Sequence, residues 1–428
     1  MENIFSVNDG NLYIEGLKAS DLAKEFGTPL FVYSETMIRS RLVEIKQDFI
    51  EKYPGAFASY AGKAFLTPAM CRLIDEEGFH LDVVSGGELF TAKRAGFPPE
   101  HISFHGNNKT YEELDEAIGI GVGRIIIDGL DEISIVEELA EKHGRTQKVL
   151  FRITPEVGAG GHAHITTGKR GSKFGIPMDE EFLYPLVDVA IKSPHLDFAG
   201  FHYHIGSQIF DVEPYVEATE NALTLLVNIR DRFACLVPEL IIGGGFGIRY
   251  IEGEQRKPYS YFLDPVMKKI NEFCVEHELE IPNVGIEPGR SIVGDAGVTL
   301  YSVGTIKKIP DVAAYASIDG GMSDNIRPAL YGAKYEAVVV DKADTTPSEK
   351  LTICGKLCET GDRIIDDASI APVERGDIIC VFSTGAYGYS MSNNYNKIPK
   401  SAVVLVKGNE AKLIVKRQSF EDMTACEL

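Results

Sequence analysis

Short apolar runs alternate with helical patterns along the chain between about residues 57 and 289. Eight of these runs have the length and apolar character of buried strands, and they are Phe57–Ala64, His80–Ser85, Ile102–His105, Arg124–Asp128, Lys148–Ile153, Leu196–His204, Glu239–Ile242 and Asn283–Glu287. Helical patterns follow the first seven runs, among them Glu112–Gly119, Asp131–His143, Val212–Phe233 and Tyr261–His277. Eight strands that alternate with helices over this length predict a (β/α)8 TIM barrel rather than an open sheet.

The chain beyond residue 290 has a different pattern, because strand-like runs follow one another there with only turns between them. These runs are Ile292–Ile309, Ala337–Val340, Leu351–Cys354, Ile378–Ser383, Ala402–Val406 and Ala411–Val415. They predict a C-terminal all-β domain, a barrel or a sandwich. Within the first pattern, the segment Pro155–Pro177 is long and rich in Gly, Thr and His, and we expect an elaborated loop at the catalytic rim of the barrel.

The composition is that of a soluble globular protein long enough for two domains. The 428 residues carry a formal net charge of −20, which disfavours nucleic acid or an anionic membrane as a partner. We find no signal peptide pattern and no stretch apolar enough to span a bilayer. The seven cysteines are scattered without a CxxC spacing, so we expect reduced thiols in a cytoplasmic protein.

Barrel enzymes carry their chemistry where the strands end, so the residues at those positions are the first candidates. Lys63 ends the first run, and an amine there would be partly desolvated, which favours the neutral nucleophile that forms a Schiff base with a carbonyl compound. The alternative is a solvated lysine at a strand edge. Gly243–Gly247 ends the seventh run, where backbone amides can approach a phosphate. The alternative for this run is a tight turn.

The other strand ends carry carboxylates and histidines. Glu287 ends the eighth run and could keep a pyridine nitrogen protonated, or it could form an ion pair with Arg290. His204 could stack on a cofactor ring, bind a metal or be a hydrogen-bonded core residue, and Ser207 three residues later is a possible phosphate ligand. Asp82 lies in the second run.

Two further motifs suggest rival functions. The pattern His202-x-His204, repeated as His162-x-His164, is compatible with a metal-dependent barrel hydrolase. Zinc needs three or four ligands in the right geometry, and a His-x-His pattern in the middle of the barrel without well-placed acidic and histidine partners at other strand ends supports a metal poorly, so this hypothesis ranks low. Gly119–Gly123 resembles a dinucleotide fingerprint, but it follows a helix and precedes a strand, so we interpret it as a helix stop.

The β domain adds three candidate groups. Cys358 stands next to Glu359 in a turn-rich loop, and Tyr387 lies between small residues. Either feature could be ordinary loop packing. The run that starts at Arg327 and ends at Tyr331 could bind a carboxylate, because a guanidinium grips that group in a bidentate manner.

Taken together, these motifs resemble the alanine-racemase-like barrel family of pyridoxal phosphate enzymes, and within it the diaminopimelate decarboxylase branch. The likeness runs from about Pro29 to Ala402. It is carried by Tyr60–Ala64, Asp82–Leu89, His164–Ile176, His202–Gln208, Gly243–Gly247, Glu287–Arg290, Arg327–Ala333, Cys358–Asp362 and Gly385–Asn396. The resemblance implies a barrel over 33–290, a C-terminal β domain over 291–428, and an N-terminal segment, 1–32, that packs with the β domain.

The resemblance also implies a role for each candidate residue. Lys63 would hold pyridoxal 5'-phosphate as a Schiff base, His204 would stack on its ring and Glu287 would pair with the ring nitrogen. The residues implied to bind the cofactor are Lys63, Asp82, His204, Ser207, Gly243, Gly244, Gly245, Glu287, Gly289, Arg290 and Tyr387. Those implied to contact the substrate are Arg290, Arg327, Tyr331, Glu359 and Tyr387.

The implied reaction is the decarboxylation of meso-diaminopimelate to L-lysine, with Lys63, Glu287, His204 and Cys358 as the catalytic set. Cys358 would be the proton donor and would come from the other subunit of a homodimer. Two departures from the family pattern concern the substrate more than the reaction: Lys334-Tyr335 stands where an aromatic residue and a histidine are usual, and Asn396–Lys400 lacks the usual Arg-Pro-Arg-Pro. Other basic amino acids, such as D-ornithine or D-lysine, therefore stay open as substrates, and a non-catalytic binding protein is a more remote alternative.

Overall fold

The structure is a computed structural model that describes residues 4–157 and 171–428. The chain forms two compact units. The barrel unit comprises Leu42–Gly247 and Arg256–Gly289, and the sheet unit comprises Met1–Arg41, Ile248–Gln255 and Arg290–Leu428. The described sheet unit thus includes an N-terminal part that extends beyond the boundary at residue 32, and the short segment 248–255, which comes from the middle of the barrel sequence.

The elements follow one another in chain order. Up to the end of the barrel they are β1 (Phe5–Asn8), β2 (Asn11–Ile14), β3 (Leu17–Lys18), α1 (Ala19–Phe26), β4 (Leu30–Ser34), α2 (Glu35–Ile45), β5 (Phe57–Ala61), α3 (Pro68–Glu76), β6 (His80–Val83), α4 (Gly86–Ala95), β7 (Ile102–Phe104), α5 (Tyr111–Ile120), β8 (Arg124–Ile127), α6 (Glu132–Lys142), β9 (Gln147–Thr154), β10 (Ile176–Pro177), α7 (Leu183–Lys192), β11 (Leu196–His202), α8 (Glu213–Phe233), β12 (Glu239–Ile241), α9 (Tyr259–Glu276) and β13 (Asn283–Ile286). The remaining elements are α10 (Arg290–Val293), β14 (Gly297–Ile309), β15 (Ala313–Ile318), α11 (Arg327–Tyr331), β16 (Ala337–Val339), β17 (Glu349–Cys354), β18 (Arg363–Ile370), β19 (Ile378–Val381), β20 (Ala402–Lys407), β21 (Glu410–Val415) and α12 (Phe420–Thr424).

The barrel unit is a closed parallel barrel of β5, β6, β7, β8, β9, β11, β12 and β13, in that order, with the short β10 added beside β9. The ring closes where Ile286 of β13 pairs with Ala58 of β5. Its strands are buried on both faces, as in β8, where all four residues are buried, because helices cover the outside of a parallel barrel. The predicted fold class, a (β/α)8 barrel with a separate sheet domain, is confirmed.

Some predicted strands end earlier than the apolar runs suggest. The first strand stops at Ala61, and Gly62–Ala64 forms a single 3-10 turn. The turn brings the chain close to the neighbouring strand, since a Cβ on Gly62 would lie 2.9 Å from the carbonyl oxygen of Asp82. The prediction that Ile292 begins a strand is wrong: a helical turn closed by Gly294 N–H and the carbonyl of Arg290 precedes β14.

The sheet unit is built on a sheet with the order β18-β17-β15-β14-β4-β20-β21, to which β19 and β16 are added through β14. The N-terminal strand β4 pairs in parallel with β20 and antiparallel with β14, so residues from both ends of the chain share this sheet. The unit has two apolar clusters, one of which includes Ile353 and Ile379 and the other Val32 and Val404. Among the described residues, no helix combines the length and the apolar character needed to cross a membrane.

Candidate active site

Lys63 lies directly after the first barrel strand, in the 3-10 turn Gly62–Ala64. Its side chain is exposed in the chain, so the expectation of partial desolvation is wrong for the protein by itself, because the strand ends two residues earlier and the turn carries the amine out of the packed layer. Burial raises the pKa of Asp82 and lowers that of His204, and the positive charge of Lys63 is close enough to lower both. The Lys63 amine therefore lies near the other candidate groups at the carboxyl ends of the barrel strands, as predicted.

Glu287 directly follows β13, the eighth barrel strand, and lies between two imidazoles. His202 Nε2 donates a hydrogen bond to its Oε2 at 2.9 Å. His105 Nε2 lies 2.9 Å from Oε1, off the angle of a hydrogen bond, so that contact is an ion pair. Burial would raise the pKa of Glu287, but His105 and His202 lower it well below its usual value. This buried carboxyl is therefore a carboxylate.

The pKa values of the two histidines are shifted in opposite directions. Burial would lower the pKa of His105, but Asp82 and Glu287 raise it above its usual value, and Asp82 Oδ1 lies 3.8 Å from its Nε2. Burial lowers the pKa of His202 to about 4, although Glu287 opposes the shift. The protonated form is thus favoured at His105, beside the two acids, and His202 is a neutral donor.

His105 is a residue that the sequence analysis passed over. It follows β7 directly and its backbone N–H donates to the carbonyl of Val83. The signal was present, because Ile102–His105 was one of the predicted strands and its last residue occupies the same place on the third strand as the candidates do on theirs. Glu88 was also passed over: burial and Asp82 raise the pKa of its half-buried carboxyl to about 7.

His204 is oriented by the glycine loop that follows β12. The N–H of Gly244 donates to His204 Nδ1 at 3.3 Å, so the ring proton is on Nε2. Burial, with the charges of Lys63 and Arg152, lowers the pKa of His204 well below its usual value. The ring is therefore neutral and fixed by the main chain.

The glycine loop has no room for side chains. Gly243 and Gly245 have φ angles of +71° and +100°. A Cβ on Gly244 would lie 2.2 Å from the carbonyl oxygen of Glu287, and one on Gly245 would lie 2.3 Å from that of Gly206. The backbones of three barrel loops are thus in direct contact here, and only glycine fits at these positions.

The loop that carries Ser207 packs against the glycine loop. Ile209 N–H donates to the carbonyl of Gly245, and Gly247 N–H donates to the carbonyl of Ile209, both at 2.9 Å. Ser207 is half-buried two residues earlier. The structure thus brings the two predicted phosphate-binding segments together. Gly289, the last residue of the unit, is also tightly packed, because a Cβ there would lie 2.9 Å from that of Ala61.

The His-x-His pattern does not converge on a common point. His202 faces Glu287 and His204 faces Gly244. Within the described part of the chain, the donor atoms that could share a metal ion are those of His105, His202 and Glu287, which lie within 4.8 Å of one another. Their contacts are direct imidazole–carboxylate contacts at 2.9 Å. His162 and His164 lie outside the described residues.

The sheet unit brings together three other predicted residues, Arg290, Arg327 and Tyr387, and two that were not predicted. Arg290 lies with its guanidinium carbon 4.8 Å from the ring centre of Tyr387. Both Arg290 and Arg327 donate to the hydroxyl of Tyr250. Tyr335, noted in the sequence as a departure, accepts from Arg327. Tyr331 ends the short helix α11 that Arg327 begins. Tyr250 was missed because it lies in the segment 248–255, inside the barrel sequence.

Cys358 and Glu359 are exposed on a turn that several hydrogen bonds join to the rest of the unit. The N–H of Cys358 donates to Asn396 Oδ1 at 2.7 Å. The buried carboxylate of Asp362 accepts from the N–H groups of Met322 and Leu357 at 2.6 and 2.8 Å. The thiol and the carboxylate are thus presented outward from a preorganised loop.

The barrel residues fit the phosphate, ring and aldehyde of pyridoxal phosphate. The phosphate would be held at the loop Gly243–Gly245, where close backbone contacts leave no room for a Cβ, and by Ser207. The ring would meet the neutral imidazole of His204 and the carboxylate of Glu287, one oxygen of which, Oε1, makes no hydrogen bond with the described residues. Lys63 supplies an amine for the aldehyde.

Comparison with known proteins agrees with this chemistry. The family profile described as "Pyridoxal-dependent decarboxylase, pyridoxal binding domain" matches residues 37–294. The diaminopimelate decarboxylases of Bacillus subtilis and Staphylococcus aureus are 46% and 42% identical to the chain, over 98% and 97% of it and 95% and 97% of their own lengths. The structure of diaminopimelate decarboxylase from M. jannaschii in complex with L-lysine superposes with a TM-score of 0.93 at 33% identity, covering 100% of this chain and 98% of the other.

Proposed function

The chain belongs to the pyridoxal-dependent decarboxylase family, and on that premise we propose that it converts meso-2,6-diaminopimelate to L-lysine and carbon dioxide. The relatives named above support the substrate, since they are diaminopimelate decarboxylases that match the chain over nearly its whole length. The reaction is the last step in making lysine. The seven cysteines are all free thiols, which supports a reducing compartment, and we place the enzyme in the cytoplasm.

The observation that carries the proposal is the buried carboxylate of Glu287, held ionised between His105 and His202 at the same barrel mouth as the glycine loop. Pyridoxal phosphate, when bound, supplies an electron sink for the pair that remains on carbon when a carboxylate leaves, and the sink is strongest when its ring nitrogen carries a proton. In this proposal Glu287 holds that proton in place. A positively charged partner at the nitrogen would favour racemisation instead.

The other barrel residues bind and orient. Lys63 would hold the cofactor through its aldehyde carbon, which the amine of this side chain can bind covalently. Gly243–Gly245 and Ser207 hold the phosphate, and Asp82 acts through His105, with which it pairs. His204 stays neutral, so that its ring lies against the cofactor without adding a charge that would compete for the electron pair. These groups keep the scissile bond oriented and exclude water.

Cys358 completes the reaction in this proposal. As carbon dioxide leaves, the carbon–carbon bond breaks and its electron pair stays on Cα, and the thiol of Cys358 gives its proton to that carbon. Cys358 and Glu359 are exposed in the chain, which supports their insertion into the active site of a second copy. The functional unit we propose is therefore a homodimer with two shared sites.

A substrate panel tests the activity. Purified protein loaded with pyridoxal phosphate is incubated with meso-diaminopimelate, L-lysine, D-lysine and D-ornithine, and carbon dioxide release and the chirality of the product are measured. We expect release from meso-diaminopimelate with L-lysine as the product. Turnover of another amino acid without release from diaminopimelate would reject the substrate, and the replacement at Tyr335, which contacts Arg327, makes D-lysine and D-ornithine the alternatives to include.

Mixing two inactive variants tests the shared site. We expect Lys63→Ala and Cys358→Ala each to be nearly inactive as homodimers, with cofactor still bound to Cys358→Ala. After the subunits are exchanged, half of the dimers are mixed and each has one intact site, so activity should return to about a quarter of the wild-type value. No recovery in demonstrably mixed dimers would place Cys358 in its own subunit's site.

A further inference from the structure

Two buried arginines of the sheet unit share one tyrosine hydroxyl. Arg290 Nη1 donates to Tyr250 Oη at 2.5 Å, and Arg327 Nη1 donates to the same oxygen at 3.0 Å. All three side chains are at least nine-tenths buried. A phenol oxygen has two lone pairs, so both are used by the guanidiniums. The hydroxyl therefore fixes the two cations next to each other.

A second phenol completes the orientation of Arg327. Arg327 Nη1 also donates to Tyr335 Oη at 2.5 Å, and that hydroxyl lies 3.4 Å from Asn325 Oδ1 as its acceptor. Burial raises the pKa of Tyr335 to about 12, although Arg327 opposes the shift, so the hydroxyl keeps its proton for Asn325. The ring of Tyr335 also stands edge-on to that of Tyr250, with the centroids 5.5 Å apart. Tyr335 is thus anchored on two sides.

The two phenols occupy both N–H groups of Arg327 Nη1. A guanidinium has five N–H groups, and the edge formed by Nε and Nη2 is one that grips a carboxylate with two parallel hydrogen bonds. In the part of the chain that the structure describes, Arg327 makes no ion pair with a carboxylate. A buried cation without a counter-charge is costly, and an anionic ligand at this edge would remove that cost.

We propose that Tyr250 and Tyr335 are positioning residues that orient the Nε–Nη2 edge of Arg327 toward a carboxylate of the amino-acid substrate. Tyr250 also joins Arg327 to Arg290, because both guanidiniums donate to its hydroxyl. The inference rests on the proposed function for the identity of the substrate. The geometry of the carboxylate-binding group, Arg327 with Tyr250 and Tyr335, does not depend on it. It assigns a role to Tyr335, the residue that departs from the family pattern. It also explains why the segment 248–255 belongs to the sheet unit, since that segment carries Tyr250 to the arginines.

Tyrosine-to-phenylalanine variants test the proposal, because they remove the hydroxyl and keep the ring. Tyr335→Phe should raise KM for meso-diaminopimelate about tenfold and leave kcat within about twofold. The lost hydrogen bond is to a charged group, and it affects the binding of the substrate rather than the chemical step. Tyr250→Phe should raise KM by more and also weaken retention of pyridoxal phosphate, because it contacts Arg290. The matched control is Tyr301→Phe, which removes a buried hydroxyl of the same unit that has no hydrogen-bond partner among the described residues. It should change neither quantity.

Binding of pimelate to the holoenzyme separates this inference from the proposed function. Pimelate has the carboxylates of the substrate without its amines, and its affinity is measured by calorimetry. We expect Tyr335→Phe to weaken pimelate binding about tenfold and Tyr301→Phe to leave it unchanged. If this binding pattern is observed but diaminopimelate is not decarboxylated, the proposed substrate is wrong, and the proposed role of Tyr335 in carboxylate binding is supported. If the wild type does not bind pimelate, or if Tyr335→Phe behaves like Tyr301→Phe, the inference is overturned.

Discussion

Replacing His105 by glutamine should destabilise the protein much more than the same replacement at His202. Both imidazoles contact the carboxylate of Glu287 at 2.9 Å and both are buried. Glutamine can keep a neutral N–H donor at either position but cannot carry a charge. The two variants therefore differ in whether a buried positive charge is lost.

The size of the difference follows from the distances. His105 Nε2 lies 2.9 Å from a Glu287 oxygen and 3.8 Å from an Asp82 oxygen, and a charge pair at such separations attracts by roughly 5 kcal/mol at an effective dielectric constant of about 20. Desolvation of the buried ions cancels a large part of that energy, so we expect His105→Gln to lower the free energy of unfolding by about 3 kcal/mol. His202→Gln exchanges one neutral hydrogen bond for another and should cost about 1 kcal/mol.

Urea denaturation of the holoenzyme at several pH values measures both effects. The pKa of His105 is raised in the folded protein, so its stabilising contribution is complete below the ordinary histidine pKa of about 6.5 and is lost as the pH rises through the folded value. The deficit of His105→Gln relative to the wild type should therefore shrink toward alkaline pH. Equal losses for the two variants at pH 6, or a deficit of His105→Gln that does not change with pH, would refute the charge assignment.

Three further outcomes are expected. Glu239→Gln should lower the free energy of unfolding by about 3 kcal/mol without changing kcat, because this buried carboxylate binds an arginine and a lysine at the amino-terminal end of the barrel, away from the site. Urea denaturation and steady-state kinetics measure the two quantities, and a large loss of kcat would contradict the prediction. Gly244→Ala should lose bound cofactor, since its Cβ would lie 2.2 Å from the carbonyl oxygen of Glu287, while Gly129→Ala, with nothing within 4 Å, should keep it; the visible absorbance of the bound cofactor reports both. Borohydride reduction of the holoenzyme should label the peptide that contains Lys63, and a label elsewhere, or none, would exclude it as the cofactor lysine.

The strand-end rule reached most of the barrel site because it depends on local patterns. Each apolar run that becomes a buried strand points its carboxyl end at the same face of the barrel, so Lys63, Glu287 and the glycine loop could be grouped without coordinates. The same rule covers His105, because that residue directly follows β7, the third barrel strand. The rule could not predict that Lys63 is exposed, because the strand ends two residues before it, at Ala61.

The sequence by itself determined the barrel, the separate sheet domain and the chemical types gathered at the strand ends, because periodicity and turn residues act over short stretches of chain. Only the tertiary structure decided how those groups are charged and aimed. The ion pair of His105 with Glu287 and the phenol bridge from Arg290 through Tyr250 to Arg327 join residues far apart in the chain. Such contacts depend on burial and on distances of a few ångströms, which arise when separate segments pack and which a linear pattern does not encode.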